Sequence, residues 1–173
     1  MGKSWEHVAE YFFERSQIEP EMKQFNAEFK PIYQELLFQK LATNSNAVKL
    51  LSDLKNKGKK IGVVSSAFGW MVNQILSQLE LTHFFDIVIC KEQVTRHKPD
   101  PEAYLLALEM LSLSGTDVLV FEDSNSGLIA AQKANCDSVA FRHDFNINHD
   151  FSLAVQEISD FSEFLGNGEM RIN

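Results

Sequence analysis

Ser65-Ser66, Lys98 and Glu122-Asp123 are side chains whose chemistry belongs together. A hydroxyl can hydrogen-bond a phosphoryl oxygen, an ammonium can neutralise its charge, and adjacent carboxylates can hold Mg2+ through oxygen ligands. Each also has a plain structural role. The serines suit the N-cap of a following helix, Lys98 suits a solvated loop before a helix whose first turn takes Pro101 and Glu102, and the two acids suit the positive end of a helix. Their placement favours the chemistry, because each falls at or beyond the end of a short apolar segment. Three unrelated caps would rarely fall in that order with those types.

The apolar segments read as strands. Ile61-Gly62-Val63-Val64 is expected to be a buried strand, followed by Ile87-Val88-Ile89-Cys90, Val118-Leu119-Val120-Phe121 and Ser138-Val139-Ala140-Phe141. Between them the spacing predicts helices over 70–80, 101–112 and 126–135, and before them one built on Ala47, Val48, Leu50, Leu51 and Leu54 that Gly58 can cap. Short continuous strands alternating with helices indicate parallel βαβ units with both sheet faces covered, a Rossmann-like α/β three-layer sandwich. In such sheets ligands sit beyond the carboxyl ends of the strands, where these side chains lie. Placed at a strand end, both carboxylates should lie outside the core.

Residues 5–41 carry no strand signal. Trp5, Val8, Phe12 and Phe13 share one helical stripe; Met22, Phe25, Phe29, Tyr33 and Leu36 form a second, which Pro31 should kink or split. The expected organisation is a partial helical cap over 1–43 and an α/β core over 44–173. Residues 142–150 read as a polar loop, and the tail to Leu165 as strand or helix fragments against the sheet edge.

Composition narrows the function. The 173 residues are 45% hydrophobic, enough for one ordinary core, and 16 Lys plus Arg against 24 Asp plus Glu give a net charge of −8 with no basic run. Nucleic acid is therefore not an expected partner, whereas a small phosphorylated metabolite needs only a few local donors. Cys90 and Cys136 belong to no metal-binding or redox spacing and read as reduced, partly buried thiols. No signal-peptide core or bilayer-length apolar run is present, so no membrane partner is expected and the cytoplasm is the default compartment. His83, His97, His143 and His149 show no ligand spacing, although His97, beside Lys98, is placed to touch substrate.

Val63-Val64-Ser65-Ser66, Phe84-Phe85-Asp86-Ile87-Val88, Lys98-Pro99-Asp100-Pro101-Glu102-Ala103-Tyr104 and Val120-Phe121-Glu122-Asp123-Ser124, with Gly127 and Ala130-Ala131, resemble the haloacid dehalogenase superfamily, in particular its β-phosphoglucomutase-like phosphatases and mutases. The resemblance runs from about Gly2 to Leu165. It implies that Ser65 and Lys98 serve catalysis and hold phosphate and that Glu122 and Asp123 hold Mg2+; Ser66 and His97, next to Ser65 and Lys98 in sequence, are expected to join in holding phosphate or substrate. It also implies a first strand ending in Asp-x-Asp, whose leading aspartate attacks phosphorus. No two aspartates of this chain stand two residues apart. The first, central strand of the family is thus missing, and its place should lie between strands 118–121 and 61–64. Ala134-Asn135-Cys136 also departs from the family's Ala-Gly-Met.

The expected activity is Mg2+-dependent phosphoryl transfer, as phosphatase or phosphomutase, on a small phosphorylated metabolite such as a sugar phosphate. Without its nucleophile the chain should be inactive. Three origins are open: a truncated sequence, the larger part of a split protein whose second chain or N-terminal segment completes the sheet, or a degenerate relative that binds phospho-ligands or other proteins without reacting. Gly2-Lys3-Ser4 resembles the end of a nucleotide-binding P-loop but lacks that loop's strand and upstream glycine. A receiver domain would need an acidic pair after its first strand and would not begin with 40 helical residues.

Overall fold

The computed structural model describes residues 13–15 and 22–165. Its main helices are α1 (Met22–Lys40), α2 (Ala47–Asn56), α3 (Gly69–Gln78), α4 (Glu102–Leu111) and α5 (Asn125–Lys133), and its strands are β1 (Gly62–Val64), β2 (Ile87–Ile89), β3 (Leu119–Glu122), β4 (Asp137–Phe141) and β5 (Gln156–Ile158). The first helical stripe expected over 5–13 lies almost wholly outside the described residues.

The α/β alternation is as the sequence predicts. Val63 and Val88 face α3, packing with Val72 and Leu76, while Val64, Ile87 and Ile89 face α4 through Ala103 and Ala107. This is the period-2 alternation of strands covered on both faces. In the second half Val120 packs on Ala130 and Ala131 of α5, and Phe121, Val139, Phe141 and Ile158 pack on Phe161 and Phe164. The tail does return to the sheet edge, as β5 beside β4 and a 3-10 turn over Phe161–Phe164.

Pairing is parallel throughout, but the sheet comes as two pieces, β1-β2 and β3-β4-β5, with no ladder between β1 and β3. Ile61 accepts from the Asp86 N–H and the Ser65 N–H donates to Ile89, so alternate residues 61, 63 and 65 serve β2. Gly62 and Val64 turn their backbone groups to the other side. Gly62 is exposed and Val63 and Val64 only half-buried, which corrects the expectation of a buried strand: among the described residues β1 has a neighbour on one edge alone. The slot runs between two covered faces, because α4 packs against α5 on one side and Asn46 binds Asp160 (2.8 Å) beside α2 on the other.

Local chemistry accounts for the ends of these elements. Gly58, at φ 69°, closes α2 with the Gly58 N–H on Lys55 and the Lys59 N–H on Leu54, a Schellman arrangement. α1 runs through Pro31 as one helix, so of the kink or split expected there the split does not occur. A ladder of rings offsets the backbone bond proline forgoes, with Phe25–Phe29 at 5.9 Å, Phe29–Tyr33 at 5.4 Å and Tyr33 edge-on to Trp70 of α3 at 5.8 Å. Leu36, placed on the same stripe by spacing, is 51% exposed.

Candidate active site at the carboxyl ends of the strands

Ser65, Ser66, Lys98, Glu122 and Asp123 all line one cavity of about 890 Å³ at the carboxyl ends of β1 and β3. His97 does not line it. Its carbonyl accepts the Asp100 N–H (2.9 Å), a turn that brings Lys98 inward.

Neither serine caps α3. Phe68 stands at that position without a side-chain bond, and the Glu92 carboxylate takes the Gly69 N–H instead (3.1 and 3.0 Å). The Ser65 hydroxyl accepts the Ala67 N–H (3.1 Å) and faces the cavity. The loop carrying Lys98 is pinned by Glu102, whose carboxylate takes the Thr95 and Arg96 N–H groups (2.8 and 2.9 Å) and the Arg96 Nε (3.0 Å). These donors, Thr95 first, hold the Glu102 carboxyl down to about 2.

Lys98 spends three donors inside the protein. Its Nζ binds the Val64 carbonyl (3.0 Å), the Tyr104 hydroxyl (3.2 Å) and, more closely, Glu122 Oε1. Glu122 is 7% exposed, so one of the two carboxylates expected outside the core is buried. β3 ends in a wall rather than in solvent: Oε1 also accepts the Tyr104 hydroxyl, Oε2 the Ser124 hydroxyl (3.2 Å), and Gly127 lets the carboxylate lie against the first turn of α5. Burial and the negative Glu122 raise the Tyr104 pKa, so the phenol keeps its proton and donates. A buried pair of this kind needs every partner, since desolvation of both ions is costly.

Asp123 behaves differently, with its side chain 65% exposed. Its carbonyl is held by Asn146 Nδ2 (3.0 Å), and its Oδ2 lies 3.4 Å from His143 Nε2. The sequence gives none of these partners a role in the site: Tyr104 and Ser124 stand there only inside the family-like segments, His143 only as a histidine without ligand spacing, and Asn146 only in the polar loop. A tyrosine in the first turn after Lys98 was the one available signal, since a buried phenol needs a polar partner.

Among the described residues no three His, Cys, Asp or Glu side chains cluster as a ready cage for a metal. Mg2+ does not require one, because it keeps several waters and is commonly held by one or two carboxylates together with substrate phosphate. An open Asp123 that lines the same cavity as Ser65 and Lys98 suits that mode of binding.

A parallel α/β fold that gathers an ammonium, hydroxyls and carboxylates in one cavity puts them beyond the carboxyl ends of the strands, where ligands bind in such sheets. The profile of the haloacid dehalogenase-like hydrolases matches residues 1–141, and the chain belongs to that family. It is 34% identical over 125 residues to a phosphorylated carbohydrates phosphatase of Thermotoga maritima, covering 72% of this chain and 56% of that one. To the phosphoglycolate phosphatase of Escherichia coli it is 29% identical over 121 residues, covering 67% and 48%. The chain thus spans about half the length of these relatives. Among solved structures, a Thermotoga maritima protein assigned as a beta-phosphoglucomutase superposes with a TM-score of 0.77 at 28% identity, covering 91% of this chain and 74% of that one. The beta-phosphoglucomutase of Clostridium difficile shares the fold with a TM-score of 0.74 at 24% identity, over 94% and 73% of the two chains.

Proposed function

We propose that this chain supplies the phosphate-binding and cation-binding groups of a Mg2+-dependent phosphatase or phosphomutase acting on small phosphorylated sugars. The observation that carries the reading is the convergence of Ser65, Lys98 and Asp123 on one cavity. The substrate class follows that of the Thermotoga maritima relative, a phosphorylated carbohydrates phosphatase. Ser65 hydrogen-bonds a phosphoryl oxygen, Lys98 neutralises the charge that builds on the transferring group, and Asp123 holds the cation. When bound, Mg2+ offsets the charge of the phosphoryl oxygens.

The attacking carboxylate enters, in this proposal, on a further strand in the slot between β1 and β3, contributed by a preceding segment or a second chain. A bound phosphoryl group takes the Lys98 N–H now spent on the Val64 carbonyl, and such a strand then claims that carbonyl and restores the ladder that Gly62 and Val64 leave open. The cytoplasm suits two free, buried cysteines. No helix among the described residues is long and apolar enough to cross a membrane.

A second reading is a protein that binds phospho-ligands without turnover. It is favoured by one feature: the nearest carboxylate to Lys98 is Glu122, already tied to it and turned from attack. Hydrolysis of p-nitrophenyl phosphate with Mg2+ separates the two, comparing this chain with one carrying an apolar strand that ends in Asp-x-Asp. Turnover in the extended form alone is expected. Silence in both supports the binding protein, and equal rates in both overturn attack by a strand-borne carboxylate.

A further inference from the structure

The polar loop after β4 is held more firmly than its composition suggests. Arg142 pairs with Glu157 through Nε and one terminal nitrogen (2.7 Å each) and donates through the other to the carbonyls of Asn146, Ile147 and His149 (2.8, 3.1 and 3.2 Å). Asn146, 2% exposed, accepts the His143 N–H (2.8 Å) and donates to the carbonyls of Phe141 and Asp123 (2.8 and 3.0 Å). These bonds fasten the loop to the backbone of Asp123.

His143 opens this loop and lines the cavity. Its Nδ1 accepts the Phe145 N–H (3.1 Å), which leaves the ring proton of the neutral imidazole on Nε2. Nε2 faces Asp123 Oδ2 at 3.4 Å, with the histidine side chain only 33% exposed. One loop thus grips Asp123 twice, by its carbonyl through Asn146 and by one carboxylate oxygen through His143.

We propose that His143 is a positioning residue for Asp123: its Nε2–H occupies one carboxylate oxygen and leaves the other directed at a divalent cation in the cavity. With its proton on Nε2 and its lone pair on Nδ1 turned to the backbone, His143 is not itself a metal ligand. Outer partners of this kind fix ligand orientation, and their loss typically weakens metal binding by about 10–100-fold. An exposed Asp123 argues for the lower end of that range. The inference rests on the cation site proposed above.

The test is a calorimetric titration of the full chain with Mn2+, and again with Mg2+, at one fixed pH. His143→Asn keeps a side-chain acceptor for the Phe145 N–H, as asparagine does in turns, but is too short to reach Asp123. Its affinity is expected to fall about 10-fold. His143→Gln, long enough to present an N–H to Asp123, is expected to recover part of that loss. In an Asp123→Asn background His143→Asn is expected to change nothing further. Wild-type affinity in His143→Asn, or an equal loss in both backgrounds, overturns the positioning role. Unchanged binding in Asp123→Asn alone overturns the cation site itself, which separates the two failures.

Discussion

Replacing Gly127 with alanine tests the construction of the Lys98–Glu122 pair. A Cβ there would overlap the Glu122 carboxyl carbon and both of its oxygens, well inside van der Waals contact. A free side chain would swing away at little cost. Glu122 is not free, because Lys98 and Tyr104 hold Oε1 and Ser124 holds Oε2. Alanine gains up to about 1 kcal/mol over glycine within a helix, whereas breaking a buried ion pair costs about 3–5 kcal/mol. The net expectation is a loss of about 2–4 kcal/mol. At about 2–4 °C per kcal/mol for a chain of this size, Tm falls by about 5–15 °C. Scanning calorimetry and urea unfolding both read this. A neutral or stabilised Gly127→Ala would show that the carboxylate moves freely and that the pair does not brace the site.

Two further outcomes follow from the loops. The Glu102 carboxyl sits at about 2 against an ordinary 4.5, so its contribution is present above about 4.5 and lost as pH falls toward 2. Glu102→Gln should therefore lower Tm at neutral pH and flatten its decline across that acid window, read by thermal melts at stepped pH. Asn146→Ala strips partners from two carbonyls and one N–H. A loss of about 2–4 kcal/mol is expected by urea unfolding, with faster proteolysis within 142–150.

Much of the fold was legible because its signals are local. Four apolar runs, the helical spacing between them and Gly58 place the elements to within a residue or two, and rules for parallel sheets place Ser65, Lys98 and Asp123 together. What escaped depends on apposition across the chain. Glu122 and Asp123 are neighbours of one chemical type, yet one is buried against Lys98 and the other open, and nothing local separates them. His143 reads as a loop histidine until the end of β4 is set beside the end of β3. The half-exposed β1 was missed for the same reason: Val63 and Val64 are apolar enough for an interior strand, but burial is decided by the neighbour across the slot.

The most direct measurement of the central claim is the broadening of the ³¹P resonance of inorganic phosphate titrated against the protein with Mg2+. The comparison is Lys98→Met combined with Glu122→Gln, which removes both charges while leaving Tyr104 an acceptor, so that neither ion is stranded. Saturable, Mg2+-enhanced broadening is expected for the natural sequence, and its loss for the paired variant with cooperative unfolding retained. Equal broadening by both proteins, or none by the natural sequence, would contradict an anion site built on Lys98.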